Sequence, residues 1–217
     1  MDWALAIEKN RTALARVVAE IFALVGFVAG ALLSRGNYLA AERLLRPTES
    51  ALRRLIFIAA RGLVVKPFVS RAFPEGLVIK ASEHGRISFP LFDARKKYDF
   101  IEPENPLLVM VKTYSSNPFN PFELHQRRPE EPAARDYAVS LSRRLAAVKQ
   151  ALETLPQQAQ RMARWQAKRK AMGQPKFTSP LRPGRPPGYR DEHQSEIDFI
   201  LQETHGLACD AIRENSS

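Results

Sequence analysis

The stretch Ile21-Phe-Ala-Leu-Val-Gly-Phe-Val-Ala-Gly-Ala-Leu-Leu33 carries no charge and no strongly polar group, in a chain whose net charge is +10. A spanning helix needs roughly 20 mostly apolar residues, whereas roughly 10–14 suit a core helix or an interfacial segment. Extending the run back to Thr12 supplies the length but takes in Arg16 and Glu20. These two stand four apart and can pair on a helix. Arg16 can also snorkel to an interface, and Glu20 at headgroup level leaves a span over residues 18–34. Gly26 and Gly30 form a small-xxx-small pair suited to close helix approach in lipid. The expectation is membrane association through this segment, with a buried soluble helix as the alternative. A signal peptide is the third reading, with Lys9, Arg11 and Arg16 as its charged region and Ala29-Gly30-Ala31 as its cleavage site, although Asp2 and Glu8 dilute that charge.

The positive-inside rule orients a span by its flanking cations. Arg35, Arg43, Arg46, Arg53 and Arg54 follow the run and outweigh Lys9, Arg11 and Arg16 before it. The expected location is a bacterial inner membrane with the bulk facing the cytoplasm, or the cytoplasm itself. The single cysteine, Cys209, excludes an intramolecular disulfide. Residues 135–190 hold 13 basic and 2 acidic residues, and residues 191–217 hold 1 basic and 7 acidic. A basic block followed by an acidic one can pair internally or attract an external polyanion.

Three segments are expected. Residues 1–65 form an apolar and a basic amphipathic helix, together a candidate membrane anchor. Within 38–65, Pro47 should separate a short helix ending before Arg46 from a longer one starting at Thr48. Arg53, Arg54 and Arg61 fall on one arc, opposite Leu52, Leu55, Ile56, Ala59 and Leu63. That basic arc is either solvated or laid on an anionic leaflet. Residues 66–134 form a small irregular β segment with a Pro-rich linker. Its strand candidates are 76–81, 86–89 and 107–114, with a turn at Ser82–Gly85.

Residues 135–217 hold a basic heptad helix, a Pro/Arg-rich linker and an acidic terminal helix. Ala138, Leu141, Leu145, Val148, Leu152, Leu155, Ala159 and Met162 recur at alternating spacings of 3 and 4. That is the seam of a coiled coil or of a long packed helix, and self-association or protein binding through 138–162 follows from it. Pro156 should kink or split the helix. The candidate polyanion-binding residues are Arg161, Arg164, Lys168, Arg169, Lys170, Arg182, Arg185 and Arg190. Interleaved Trp165, Phe177 and Tyr189 make nucleic acid an alternative partner to membrane lipid. Pro183-Gly-Arg-Pro186 shares part of the AT-hook core, with proline where its first arginine stands. Ser195 and Asp198 approximate a capping box for the terminal helix, which should dock on the 136–172 helix, acid against base.

No P-loop, dinucleotide fingerprint or metal-ligand spacing occurs in the sequence. No catalytic residue, cofactor, metal or small-molecule substrate is expected. Leu44-Leu-Arg-Pro-Thr-Glu-Ser-Ala-Leu-Arg-Arg-Leu-Ile-Phe-Ile-Ala-Ala-Arg-Gly-Leu63 resembles a segment of small hypothetical proteins from alphaproteobacteria. So does Leu181-Arg-Pro-Gly-Arg-Pro-Pro-Gly-Tyr-Arg190 with the downstream Glu196-Ile-Asp and Leu207-Ala. The resemblance implies a bacterial cytoplasmic or inner-membrane setting and no particular activity. The sequence therefore reads as a mainly α, non-enzymatic interaction protein, either an adaptor or a scaffold, associated with a membrane. The alternative is a soluble nucleic-acid-binding protein using residues 161–190.

Overall fold

The computed structural model describes residues 2–26, 35–65, 88–93, 134–171 and 179–214. The chain divides into two units, Met1–Ala94 with Ala134–Ser217, and Arg95–Ala133. The second unit lies wholly outside the described residues. Helices account for most of the described chain: α1 Trp3–Gly26, α2 Arg35–Ala59, α3 Ala134–Glu153, α4 Leu155–Ala171 and α5 Glu196–Glu214. No strand occurs among the described residues, so the small β segment finds no support there. The runs 76–81 and 107–114 lie outside those residues. Of 86–89 only Ser88 and Phe89 are described, and both are irregular.

Asp2 starts α1 by accepting the Leu5 N–H at 3.1 Å on Oδ1, which satisfies one of the helix's orphan donors. Leu14, Val17, Val18 and Ile21 then form one buried stripe, while Ala15, Arg16, Ala19 and Glu20 face outward. The expected membrane span over residues 18–34 finds no support among the described residues. No helix among the described residues is long and apolar enough to cross a membrane. Leu14, Val17, Val18 and Ile21 of α1 are buried in the protein core. Residues 27–34 lie outside the described residues.

Helix α2 is the hub and packs against all four other helices. It runs unbroken through Pro47, against the expectation of two helices. Proline removes one helical hydrogen bond and crowds the preceding turn. The carbonyl left free belongs to Arg43 and accepts from Arg190 at 3.5 Å, while the next residue, Thr48, donates its hydroxyl to the Leu44 carbonyl at 2.6 Å.

Helices α3 and α4 divide at Thr154, as Pro156 foreshadows, and the proline sits in the first turn of α4, where its missing N–H costs little. The heptad residues Leu141, Leu145, Val148, Leu152, Leu155, Ala159 and Met162 are all buried in the chain's own core.

Helix α5 begins as its capping pattern predicts. Asp198 Oδ2 accepts the Ser195 N–H at 3.0 Å and the Ser195 hydroxyl at 2.8 Å. Its docking differs from expectation, because it packs on α2 and α1 rather than on α3 and α4. Glu203 pairs with Lys9 and Glu196 with Arg16, each at 2.9 Å, and Glu214 pairs with Arg61. The acids of α5 thus meet cations of the N-terminal hairpin, while Asp191 and Asp198 also meet Arg185 and Arg190 of the basic block.

The segment 179–190 is irregular, as its prolines and glycines dictate, yet it is packed rather than extended. Leu181 and Pro186 are buried, and Ser50 donates its hydroxyl to the Pro187 carbonyl at 2.7 Å. Gly184 and Gly188 both adopt positive φ, +76° and +83°. A Cβ on Gly188 would stand 2.7 Å from the Pro47 nitrogen, whereas one on Gly184 would meet open space. The expected outcome is that Gly184→Ala costs about 1–2 kcal/mol, the left-handed penalty alone. Gly188→Ala should cost clearly more, because the loop must also part from α2. Urea unfolding of both variants checks this, and equal losses would show that the loop does not rest on Pro47.

Candidate functional site

Residues Ser50–Ile58 of α2 are buried without interruption. A helix buried on all sides must satisfy every polar side chain internally. Two of those buried residues are arginines, Arg53 at 6% exposure and Arg54 at 0%. The expectation that both lie on a solvated or lipid-facing arc is therefore overturned. Phe57 projects between them at helical spacing, so the arc is not polar, and other elements cover it.

Asp93 is the main partner. Its Oδ2 accepts from Arg54 Nη2 at 3.0 Å and from the Arg182 N–H at 3.1 Å. Its own N–H donates to the Pro180 carbonyl at 3.0 Å. Arg54 Nη1 donates to the Ser50 carbonyl at 2.9 Å, and Nε donates to His205 Nδ1 at 3.4 Å. Arg53 Nε donates to the Pro90 carbonyl at 3.0 Å, and its guanidinium lies 5.4 Å from the centre of the Phe89 ring. Arg53 also stands 3.5 Å from Asp93 Oδ1 and 3.6 Å from Glu49. Glu49 in turn accepts two hydrogen bonds from Arg144 of α3, at 2.9 and 3.2 Å. One polar network thereby joins α2, α3, α5 and both described loops.

Burial pushes the Arg54 guanidinium below its usual range, with Asp93 opposing the shift. At Arg144 burial acts the same way, but Glu49 and Glu42 outweigh it and the shift is upward. His205 is held below its ordinary value of 6.5 by burial and then by the Arg54 charge. The Arg54 donor makes Nδ1 an acceptor, which puts the neutral ring's proton on Nε2, 3.9 Å from Cys209 Sγ. The ring then offers Cys209 a donor and not a base. Among the described residues no group of His, Cys, Asp or Glu side chains could hold a metal ion.

The eight candidate polyanion-binding residues fall into two sets. Arg161, Arg164, Lys168, Arg169 and Lys170 belong to α4. Arg161 Nη1 donates to Ser88 Oγ at 3.1 Å and to the Phe89 carbonyl at 3.4 Å. Arg169 lies 5.0 Å from the Trp165 ring centre. Arg164, Lys168 and Lys170 are exposed. Trp165 meets Phe92 edge-on with ring centres 4.9 Å apart, and Phe92 is 43% exposed. Arg182, Arg185 and Arg190 belong to the packed loop. Arg182 faces solvent while its N–H binds Asp93, and Arg185 pairs with Asp191 at 2.8 Å. Arg190 donates to the Arg43 carbonyl at 3.5 Å and stands 3.9 Å from Asp198. Sequence reading assigned no role to Asp93, Glu49 or His205. The available signal was the width of the apolar surface around Arg53 and Arg54, which implies buried countercharges.

Two outcomes are expected. Asp93→Ala strands a buried guanidinium and should cost about 3–5 kcal/mol, whereas adding Arg54→Met should recover about 1–4 kcal/mol. Denaturant unfolding of the single and double variants measures both. His205 has a lower pKa folded than unfolded, so its contribution is full above about 6.5 and is lost as pH falls through the folded value. Urea midpoints should fall on mild acidification more steeply for the native chain than for His205→Gln. Equal slopes would show that His205 does not sense Arg54.

Comparison with protein-family models, with curated proteins and with solved structures finds no match, so the functional reading rests on the chain's own residues.

Proposed function

We propose that this chain is a non-enzymatic interaction protein that associates with one leaflet of a membrane through the end of its α1–α2 hairpin. The observation that carries the reading is the hairpin's direction. Arg61, just beyond α2, stacks 4.5 Å from the ring centre of Trp3 at the start of α1. The two helices are therefore antiparallel, and Gly26 and Arg35 share the opposite end. Leu24 and Leu39 are 50% and 46% exposed near that end. The eight residues joining the helices, Phe27-Val-Ala-Gly-Ala-Leu-Leu-Ser34, carry no charge. Hairpin connections are ordinarily polar, and an apolar one flanked by exposed leucines marks an interaction surface.

Arg35, Arg43 and Arg46 follow within three turns of α2. Each Lys or Arg near an anionic leaflet contributes about 1 kcal/mol, and each leucine side chain buried in the acyl boundary about 1.5–3 kcal/mol. Exposed Leu24 and Leu39 followed by these arginines suit interfacial binding. The sequence resemblance is in keeping with a bacterial setting, and the leaflet proposed is the cytoplasmic one of an inner membrane.

A second reading rests on the α4 face. Exposed Phe92 beside Trp165, with Arg164, Lys168 and Lys170 exposed on the same helix, combines stacking surface with cations, as single-stranded nucleic acid requires.

Vesicle co-sedimentation at low salt tests the first reading. The chain should pellet with phosphatidylcholine–phosphatidylglycerol vesicles. Leu24→Glu with Leu39→Glu should weaken binding by roughly tenfold or more without lowering the melting temperature, since both side chains are half exposed. A chain that stays in the supernatant, or a double variant that binds as well as the native chain, sinks the membrane reading. If single-stranded RNA is bound instead, with loss on Lys168→Gln and Lys170→Gln, the α4 reading takes its place.

A further inference from the structure

Pro47 lies inside α2, and a proline has no N–H to give the carbonyl four residues earlier. That carbonyl belongs to Arg43. It receives instead the Arg190 Nη2 donor, at 3.5 Å. Gly188 lies so close to the same proline that a Cβ would stand 2.7 Å from its nitrogen. These contacts fix residues 188–190 beside the first half of α2. Between them lies a cleft of about 310 Å³ whose lining includes Leu39, Glu42, Arg43, Arg46, Tyr189 and Arg190.

Three arginines from two separate elements line this cleft, against one carboxylate. Glu42 is already shared, with Arg46 Nη2 at 3.4 Å and Arg144 Nη1 of α3 at 3.6 Å. Arg190 stands 3.9 Å from Asp198 Oδ2, a weak contact. That oxygen already accepts from the Gln194 N–H, the Ser195 N–H and the Ser195 hydroxyl, at 3.1, 3.0 and 2.8 Å. A guanidinium has five N–H donors, and Arg190 retains donors for a ligand. Planar guanidinium forks match the oxygens of a phosphate group, and a monoester's double charge suits more than one of them.

We propose that this cleft is a phosphate-binding site in which Arg43, Arg46 and Arg190 take up a phosphomonoester group. Its α2 residues 39–46 lie about 6–17 Å along the helix from Arg35, at 1.5 Å per residue. If the hairpin end enters a leaflet, as proposed above, this distance places the cleft at headgroup depth; that part of the inference rests on the membrane reading. The phosphate itself has one chemistry from two sources, the headgroup of phosphatidic acid or a soluble phosphomonoester.

The test begins without membranes. The full chain is titrated with inorganic phosphate and with glycerol phosphate, followed by calorimetry and backbone amide shifts. Saturable binding is expected, with shifts concentrated at residues 43–46 and 188–190. Arg43→Gln and Arg190→Gln should each weaken it roughly tenfold, the scale of one charge-assisted hydrogen bond. Arg43 is exposed, so its variant keeps the test valid if Arg190→Gln disturbs the loop. The second arm compares vesicles of phosphatidylcholine with phosphatidic acid and with phosphatidylserine, matched in surface charge. A preference for phosphatidic acid that Arg43→Gln abolishes identifies the lipid headgroup as the source. Binding of the soluble phosphates without vesicle binding supports the cleft and removes only the membrane reading. The site is overturned if neither soluble phosphate nor phosphatidic acid binding is weakened by Arg43→Gln.

Discussion

Arg54 is fully buried in the second half of α2, the helix that touches every other described helix. Taking a guanidinium out of water costs several kcal/mol unless geometry and hydrogen bonds compensate. Asp93, the Ser50 carbonyl and His205 supply that compensation from α2, from the 88–93 loop and from α5. A buried ion pair is weak evidence for net stability, but losing one partner of it is costly. Arc after arc of apolar side chain could pack in several ways around α2, whereas a buried charge accepts few of them.

Pro47 has a similar effect on the first half of the same helix. It frees one carbonyl and presents a flat ring to the chain. Arg190 takes the carbonyl, and Gly188 fits against the ring because it has no side chain. The loop is fixed at three points along α2: Gly188 at Pro47, Pro187 at Ser50, and the Arg182 N–H at the carboxylate that holds Arg54. A stretch whose composition forbids regular structure becomes part of the core surface in this way, and its arginines are divided between internal contacts and solvent.

Charge is distributed by the same logic. The acidic terminal helix pairs with Lys9, Arg16 and Arg61 along the hairpin. These exposed pairs contribute little individually, on the order of 0–1 kcal/mol, so apolar packing of Ile197, Ile200 and Leu201 determines where α5 sits. On α4, Arg161 and Arg169 make internal contacts, and Arg164, Lys168 and Lys170 are exposed. The exposed cations of α4 and the end of the hairpin are thus separate features of one fold.

Helix content, the division at Pro156, the buried heptad residues and the cap at Ser195 were legible in the sequence, since each depends on neighbours within one or two turns. The short-range chemistry of proline, capping carboxylates and 3–4 spacing determines them wherever the chain goes. The burial of Arg53 and Arg54, the docking of α5 and the use of α1 as a core helix were not legible. Asp93 stands 39 residues from Arg54, and His205 stands 151. No local pattern encodes which distant carboxylate meets a given cation, nor whether an apolar stripe faces lipid or another helix. The sequence by itself determined the helical character, the break before Pro156 and the start of α5, but not that α2 runs on through Pro47. Only the tertiary structure decided which faces are inside, because burial depends on what the rest of the chain brings to cover them.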